Sequence, residues 1–441
     1  MKKLLMLKRT SAFLFALLSI TFYSCIDEDL SDQFPFLTGT VEVPTETICG
    51  DPISIPIFNS EEIEIGKVEI YNDLDNIYLS VFSSGDWFLQ STNLYIGEDG
   101  SIPLNSSGEA ALADFPFKFS HSPLIENHIV EIPLEDIEDC STLAIQVEAV
   151  ELDDNGNSLS ETTGWLEGDV ISEGGQGMKY QHCLGECVVK YPIDAIATFA
   201  FEDRAPQKGD ADYNDFVVQM NSSQFYQGKQ IEKLEMEFIA KARGASFDHS
   251  FLMRVPIEGN ANVTIERFNS LEPNELIEMR EIKNLSGENA LIDIFPSTKE
   301  ILTSPDHEHV NVRKGTTKGE FKLTRVTFTF AEGAKLLMNA PFDPILRVKN
   351  TESEIHILEL TQKIDADGDG QKDYWEDEEG VHPFGIVMHN DWLWPLEKVY
   401  IKDVYPSYQF VIEDGVFKPA DSKWYETPEE GTDYFRPELF N

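Results

Sequence analysis

Carboxylates stand at Asp365, Asp367, Asp369, Asp373 and Glu376, which are positions 1, 3, 5, 9 and 12 of a twelve-residue stretch, and Gly370 holds position 6. A hard cation such as Ca²⁺ takes about six to eight oxygens at short range, and glycine at position 6 permits the sharp turn that wraps them. The carbonyl of Gln371 and the side chain of Asp373, directly or through water, complete the expected shell. Lys372 occupies position 8, where calcium loops of helix–loop–helix type carry an apolar residue, and 355–360 reads as a strand. The spacing therefore predicts a calcium loop set among strands. An acidic solvated turn is the alternative, and it leaves the register of the five acids unexplained.

A second acidic stretch lies upstream. Glu202, Asp203, Asp210, Asp212, Asn214 and Asp215 fall between the apolar runs 195–201 and 216–220, with Gly209 available for a turn. Carboxylates this close repel one another unless a cation or a basic side chain sits among them. Arg204 and Lys208 are the basic residues at hand, so neutralisation by those two competes with a metal ion. Alternate spacing, Asp210 with Asp212, lets side chains converge on one ion. A general acid needs an isolated, partly desolvated carboxyl instead.

The elements that must position these loops read as strands throughout. Leu143, Ile145, Val147 and Ala149 alternate, as do Leu234, Met236, Phe238 and Ala240, and no stretch sustains a helical period. The pattern predicts an all-β chain with two antiparallel β-sandwich-like domains, at 66–185 and 195–441, joined by a linker over 174–192. Before them stand a processing segment over 1–25 and an acidic tether with the first extended segments over 26–65. Trp87, Tyr95 and Trp165 are expected in the sandwich core, the alternative being a carbohydrate platform. His307 and His309 read as a surface loop.

Acidic residues number 79 against 34 basic ones, for a net charge of −45, which argues against nucleic acid and anionic lipid as partners. Lys2, Lys3, Lys8 and Arg9 precede an apolar run at 12–22, and Cys25 follows a serine. That order predicts an exported chain lipidated at Cys25, with a plain cleaved signal peptide as the alternative. The acidic residues after Cys25 resemble the tether that sends Bacteroidetes lipoproteins to the outer face of the outer membrane. The expected location is the outer membrane surface, held by lipid alone. Cys49, Cys140, Cys183 and Cys187 then imply two disulfides among three connectivities. The pairing expected is Cys49–Cys140 with the local Cys183–Cys187. Zinc at His182, Cys183 and Cys187 lacks a second ligand pair.

Two resemblances bear on function. Asn72-Asp73, Gly85-Asp86-Trp87, Leu94-Tyr95-Ile96-Gly97 and Trp165-Leu166-Glu167-Gly168 resemble an uncharacterised extracellular bacterial β-module. Phe201-Glu202-Asp203, Gly209-Asp210-Ala211-Asp212-Tyr213-Asn214-Asp215, Asn339-Ala340-Pro341-Phe342, Glu354-Ile355-His356-Ile357 and Asp391-Trp392-Leu393-Trp394-Pro395, in that order, resemble LruC-domain proteins over about 195–437. That resemblance implies a bacterial surface location and an all-β fold, and no reaction. The chain holds no Gly-x-Ser-x-Gly elbow, no His-Glu-x-x-His, no phosphate loop and no dinucleotide fingerprint. The expectation is a non-catalytic, calcium-binding surface lipoprotein serving adhesion or matrix and fimbria assembly. A glycan-binding protein would expose Trp392, Trp394 or Trp424 as a flat strip. A glycoside hydrolase would set paired acids at the floor of a cleft.

Overall fold

A computed structural model describes residues 49–441 apart from 154, 174, 194, 273, 274, 414 and 415. The expected processing segment over 1–25, with Cys25, and the expected tether as far as residue 48 lie outside the described residues. Antiparallel sheets dominate, in β-sandwich-like arrangement, as the alternating pattern predicts.

In the N-terminal half eight strands form one ladder that begins at Phe117–Ile125 and ends at Asn127–Pro133. Only Glu126 separates those two edge strands in sequence, and one residue spans less than about 4 Å. The ladder must therefore roll until its edges meet. Ring contacts across the seam, Phe119 to His128 at 4.3 Å and His121 to His128 at 4.9 Å, record the meeting. Inside lie Ile57, Ile65, Val68, Leu79, Leu89, Leu143, Ile145 and Val147, all buried. The extended segment Cys49–Asn59 sits well inside the ladder, between Glu64–Asn72 and Ser158–Leu166.

His128 is buried in this seam, and burial, reinforced by His121, holds its pKa down at about 4. An imidazole lowered on folding contributes stability above its unfolded value, about pH 6.5, and loses it as pH falls toward the folded value. Urea unfolding of the N-terminal half should lose about 2 kcal/mol between pH 7 and pH 5 on this account. His128→Phe should flatten that dependence; an equal loss in the variant would assign it elsewhere.

The C-terminal half faces a nine-stranded sheet with a four-stranded one. Phe201, Phe216 and Phe238 project from the larger sheet onto Phe251 of the smaller one, with ring centroids 5.6–6.1 Å apart. A further four-stranded sheet, built of Tyr374–Asp377, Gly380–Pro383, Phe410–Glu413 and Val416–Pro419, closes one end.

The cysteines correct the expected pairing. The bonds run Cys49–Cys187 and Cys140–Cys183. The expected linker is itself two strands: Met178–Cys183 pairs with the N-terminal ladder, and Glu186–Tyr191 pairs with the large C-terminal sheet. Cys183 thus falls directly opposite Cys140 in the ladder register, and Cys187 departs toward Cys49. A local Cys183–Cys187 bond would have to join strands that run in different sheets. Lys229 reinforces the junction by donating from Nζ to the carbonyls of Leu134 and Ile137 at 3.0 and 2.7 Å. His182 is buried beside this junction, and its cysteine neighbours are committed to sulfur.

Candidate cation sites

The strands Ala197–Phe201 and Phe216–Gln227 pair antiparallel, with Phe201 opposite Phe216, so 202–215 is a loop pinched at its base. Asp203 N–H donates to Asp215 Oδ2 at 2.8 Å across that base. Ala211 and Tyr213 both adopt left-handed φ, +55° and +49°, which non-glycine residues hold only when the surroundings compel it. These turns swing the backbone N–H groups of Asp212 and Tyr213 onto Glu202 Oε1 at 2.9 and 2.7 Å. The loop is then fastened to the 395–401 segment. Lys398 N–H donates to Asp212 Oδ2 at 2.7 Å, Ile401 N–H to the Ala211 carbonyl at 2.8 Å, and Asn214 Nδ2 to the Pro395 carbonyl at 3.0 Å. Two motifs almost two hundred residues apart in sequence thus form one structure.

Ligand oxygens of Glu202, Asp210 and Asp212 lie within 4.8 Å of one another. Glu202 and Asp212 are buried and Asp210 is exposed. Glu202 Oε2 has no hydrogen-bond partner and points at Gly209, where an added Cβ would stand 1.9 Å from it. Burial and the nearby Asp210 push the Glu202 carboxyl up to about 8, against the pull of the two N–H donors. Burial and neighbouring acids also raise Asp212 and Asp215 well above the ordinary carboxylate range. A cation among these oxygens would reverse that penalty.

The expected basic partners are elsewhere. Arg204 is exposed, and Lys208 pairs with Asp377 at 2.6 Å. Asp203 is claimed by a histidine that sequence reading missed: His249 Nε2 lies 3.1 Å from Asp203 Oδ2, and its Nδ1 lies 3.1 Å from Thr298 Oγ1. The order Asp–His–Thr resembles a nucleophilic triad. His249 and Thr298 are wholly buried, however, and Thr298 Oγ1 already accepts the His249 backbone N–H at 3.3 Å. No substrate can reach that hydroxyl, so the chain of bonds is structural.

In the downstream loop Asp365, Asp367 and Asp369 bring ligand oxygens within 4.8 Å of one another. Gly368 and Gly370 take φ of +78° and +87°, turns that need glycine. Gly370 N–H donates to Asp365 Oδ2 at 3.0 Å, and Asp369 N–H to Asp367 Oδ1 at 3.0 Å. Asp365 Oδ1 is buried without a partner. Gln371 donates from Nε2 to Asp369 at 2.9 Å, and its side chain stays at the rim. Asp373 is buried, accepts the Ala366 N–H at 2.9 Å, and is pushed up to about 6 by burial. Glu376 stands outside the group: it lies on the strand Tyr374–Asp377, exposed, 3.8 Å from Lys372 Nζ. The element before the loop ends its strand at His356 and adds one helical turn, Leu358–Thr361, and a strand follows the loop. Helix–loop–helix geometry is absent here.

The loops are neighbours. Ala205 and Pro206 of the first face Asp369, Gln371 and Asp373 of the second across a narrow crevice. Tyr213 stacks on Trp375 at 6.4 Å and donates to the Pro383 carbonyl at 2.8 Å. His356, of the Glu354-Ile355-His356-Ile357 motif, lies 3.0 Å from the buried Asp343, a partner the sequence does not reveal and which also holds Arg254 at 2.6 Å.

Trp392, Trp394 and Trp424 are buried, with Trp392 and Trp424 packed on Tyr405 and Trp394 on Phe435, so they offer no exposed strip. Trp165 and Tyr95 pack about Phe115. A cavity of about 110 Å³ beside Arg267, Phe268 and Lys322 carries a single acid, Glu300, and is smaller than the roughly 300 Å³ at which ligand pockets begin. His309 is buried and lies 3.3 Å from Glu397, which corrects its assignment to a surface loop.

Residues 229–425 match the model of a domain of unknown function, DUF4842. No curated protein matches the chain. Among solved structures, procruciferin, the 11S globulin from Brassica napus, is similar at 8% identity over 67% of this chain and 89% of that one, with a TM-score of 0.10. The coconut allergen cocosin gives the same four values. Likeness at that TM-score carries no argument about fold or activity.

Proposed function

We propose that the protein is a calcium-binding, lipid-anchored module of the bacterial cell surface, serving adhesion or matrix and fimbria assembly without catalysis. The observation that carries this is the 365–376 loop, where three carboxylates converge and one Asp365 oxygen is left without a donor. All-oxygen donors suit a hard divalent cation, and glycines at 368 and 370 let the backbone turn around it. The 202–215 loop is the second cation site in this proposal. Two disulfides fit an oxidising, exported setting. The resemblance of 195–437 to LruC-domain surface proteins supports the location, and the matched domain of unknown function lies inside that stretch. A rigid strand framework with bound cations suits a module that presents a surface.

Calorimetric titration of the full chain with Ca²⁺, kept in mild detergent, should show saturable heat, and Asp367→Asn with Asp369→Asn should remove the part that belongs to the 365–376 loop. Absence of heat in the wild type would end the calcium proposal. The anchor is tested separately. Cys25→Ser should abolish partition into the detergent phase, and protease added to intact cells should digest the wild type. A wild-type protein shielded in whole cells would end the surface assignment.

A further inference from the structure

The two acidic loops differ in a way that assigns them different roles. In the downstream loop Asp367 and Asp369 are exposed, and they accept hydrogen bonds from backbone and side chain within the loop itself. In the upstream loop Glu202 is 0% exposed and Asp212 2%, and only Asp210 reaches solvent. Glu202 Oε2 is buried, without a donor, and directed at the bare Cα of Gly209. The segment 395–401, Pro383 and Tyr408 hold this loop from outside itself. Resting on the proposal that both loops bind cations, we infer that the Glu202–Asp210–Asp212 site takes up a divalent cation as the chain folds and keeps it, whereas the Asp365–Asp367–Asp369 site exchanges with solvent.

The physical ground is access. An ion leaves a site either through an open face or by local unfolding of its walls. Asp210 is the one exposed ligand at the upstream site, so a departing ion must pass it while Glu202 and Asp212 lose their counter-charge inside the fold. Opening the wall further means breaking the Lys398, Ile401 and Pro395 bonds together. Asp203 and Asp215 cannot take over the charge, because His249 occupies the first and the Asp203 N–H occupies the second. Two ions of the same kind, in adjacent loops, would thus report on different events. One marks completion of folding, and the other follows the calcium concentration outside the cell.

The test is metal retention. The full chain is loaded with Ca²⁺ in mild detergent, dialysed natively against excess chelator, and assayed for bound metal. About one calcium per chain should remain, and denaturant with chelator should release it. Rapid mixing of the loaded protein with a fluorescent chelator should show a fast release that Asp369→Asn removes, leaving the retained ion in place. Asp210→Asn, a change at the exposed mouth, should speed loss of the retained ion by about tenfold or more. Glu202→Gln should remove that ion, and the wild-type retention decides the matter even if this variant does not fold. Complete loss of metal from wild-type protein that stays folded would overturn the inference. Retention without any fast phase would instead count against the downstream calcium loop and leave the sealed ion supported.

Discussion

Heating in excess chelator is expected to lower the melting temperature of the C-terminal half by about 10–20 °C relative to millimolar Ca²⁺, and to leave the N-terminal half nearly unchanged. Both converging carboxylate groups found among the described residues belong to the C-terminal half. Unfolding releases both ions, and the chelator keeps them, so the stabilisation lost is the sum of two binding terms. At calcium about a hundredfold over the dissociation constant each term is about 2.7 kcal/mol. For a unit of about 250 residues a loss of 1 kcal/mol lowers the melting temperature by about 2–4 °C. Four of the six tryptophans, Trp375, Trp392, Trp394 and Trp424, lie in the C-terminal half, so near-ultraviolet circular dichroism is weighted toward it. Calorimetry over the whole chain follows both halves. Coincident shifts of the two transitions would mean that stability is coupled through the Cys49–Cys187 junction; no shift at all would end the cation proposal.

What could be read in the sequence follows from how local each feature is. The run Leu234, Met236, Phe238 and Ala240 turns one face to the core, as its period of two predicts, because that strand has one buried face. At 143–147 alternation is lost, since Leu143, Ala144, Ile145, Gln146 and Val147 are all buried: Leu143, Ile145 and Val147 face the main core, and Ala144 packs with Tyr95, Ile102 and Phe115. The carboxylates of both acidic loops were legible, because short-range spacing brings them together. Their partners were not. His249 reaches Asp203 across 46 residues and Lys398 reaches Asp212 across 186, and each contact depends on how the strands are ordered. Position 12 of the spacing assigns Glu376 to the calcium shell, yet in the structure it lies exposed on the strand Tyr374–Asp377, beside Lys372. The disulfides failed for a like reason, since short spacing between Cys183 and Cys187 hides a change of sheet.

Phe251→Ala is expected to destabilise the C-terminal half by about 3–5 kcal/mol, a cost set by lost apolar transfer and by the cavity left behind. Phe251 is wholly buried and meets Phe201, Phe216, Phe238 and Phe295, two of which flank the 202–215 loop. Such a ring cluster relaxes poorly, because its members come from five strands in two facing sheets. His249, two residues earlier on the same strand, holds Asp203, so the void should also loosen the base of the acidic loop. Stability should therefore fall in chelator and in calcium alike, and the retained calcium should exchange faster. Ile277→Ala supplies the control. Ile277 is 53% exposed on the edge strand Leu276–Gly287, and its truncation should cost under about 0.5 kcal/mol. Denaturant midpoints measured on both variants decide the case. A Phe251→Ala cost near that of the control would mean that the two sheets do not meet at this ring.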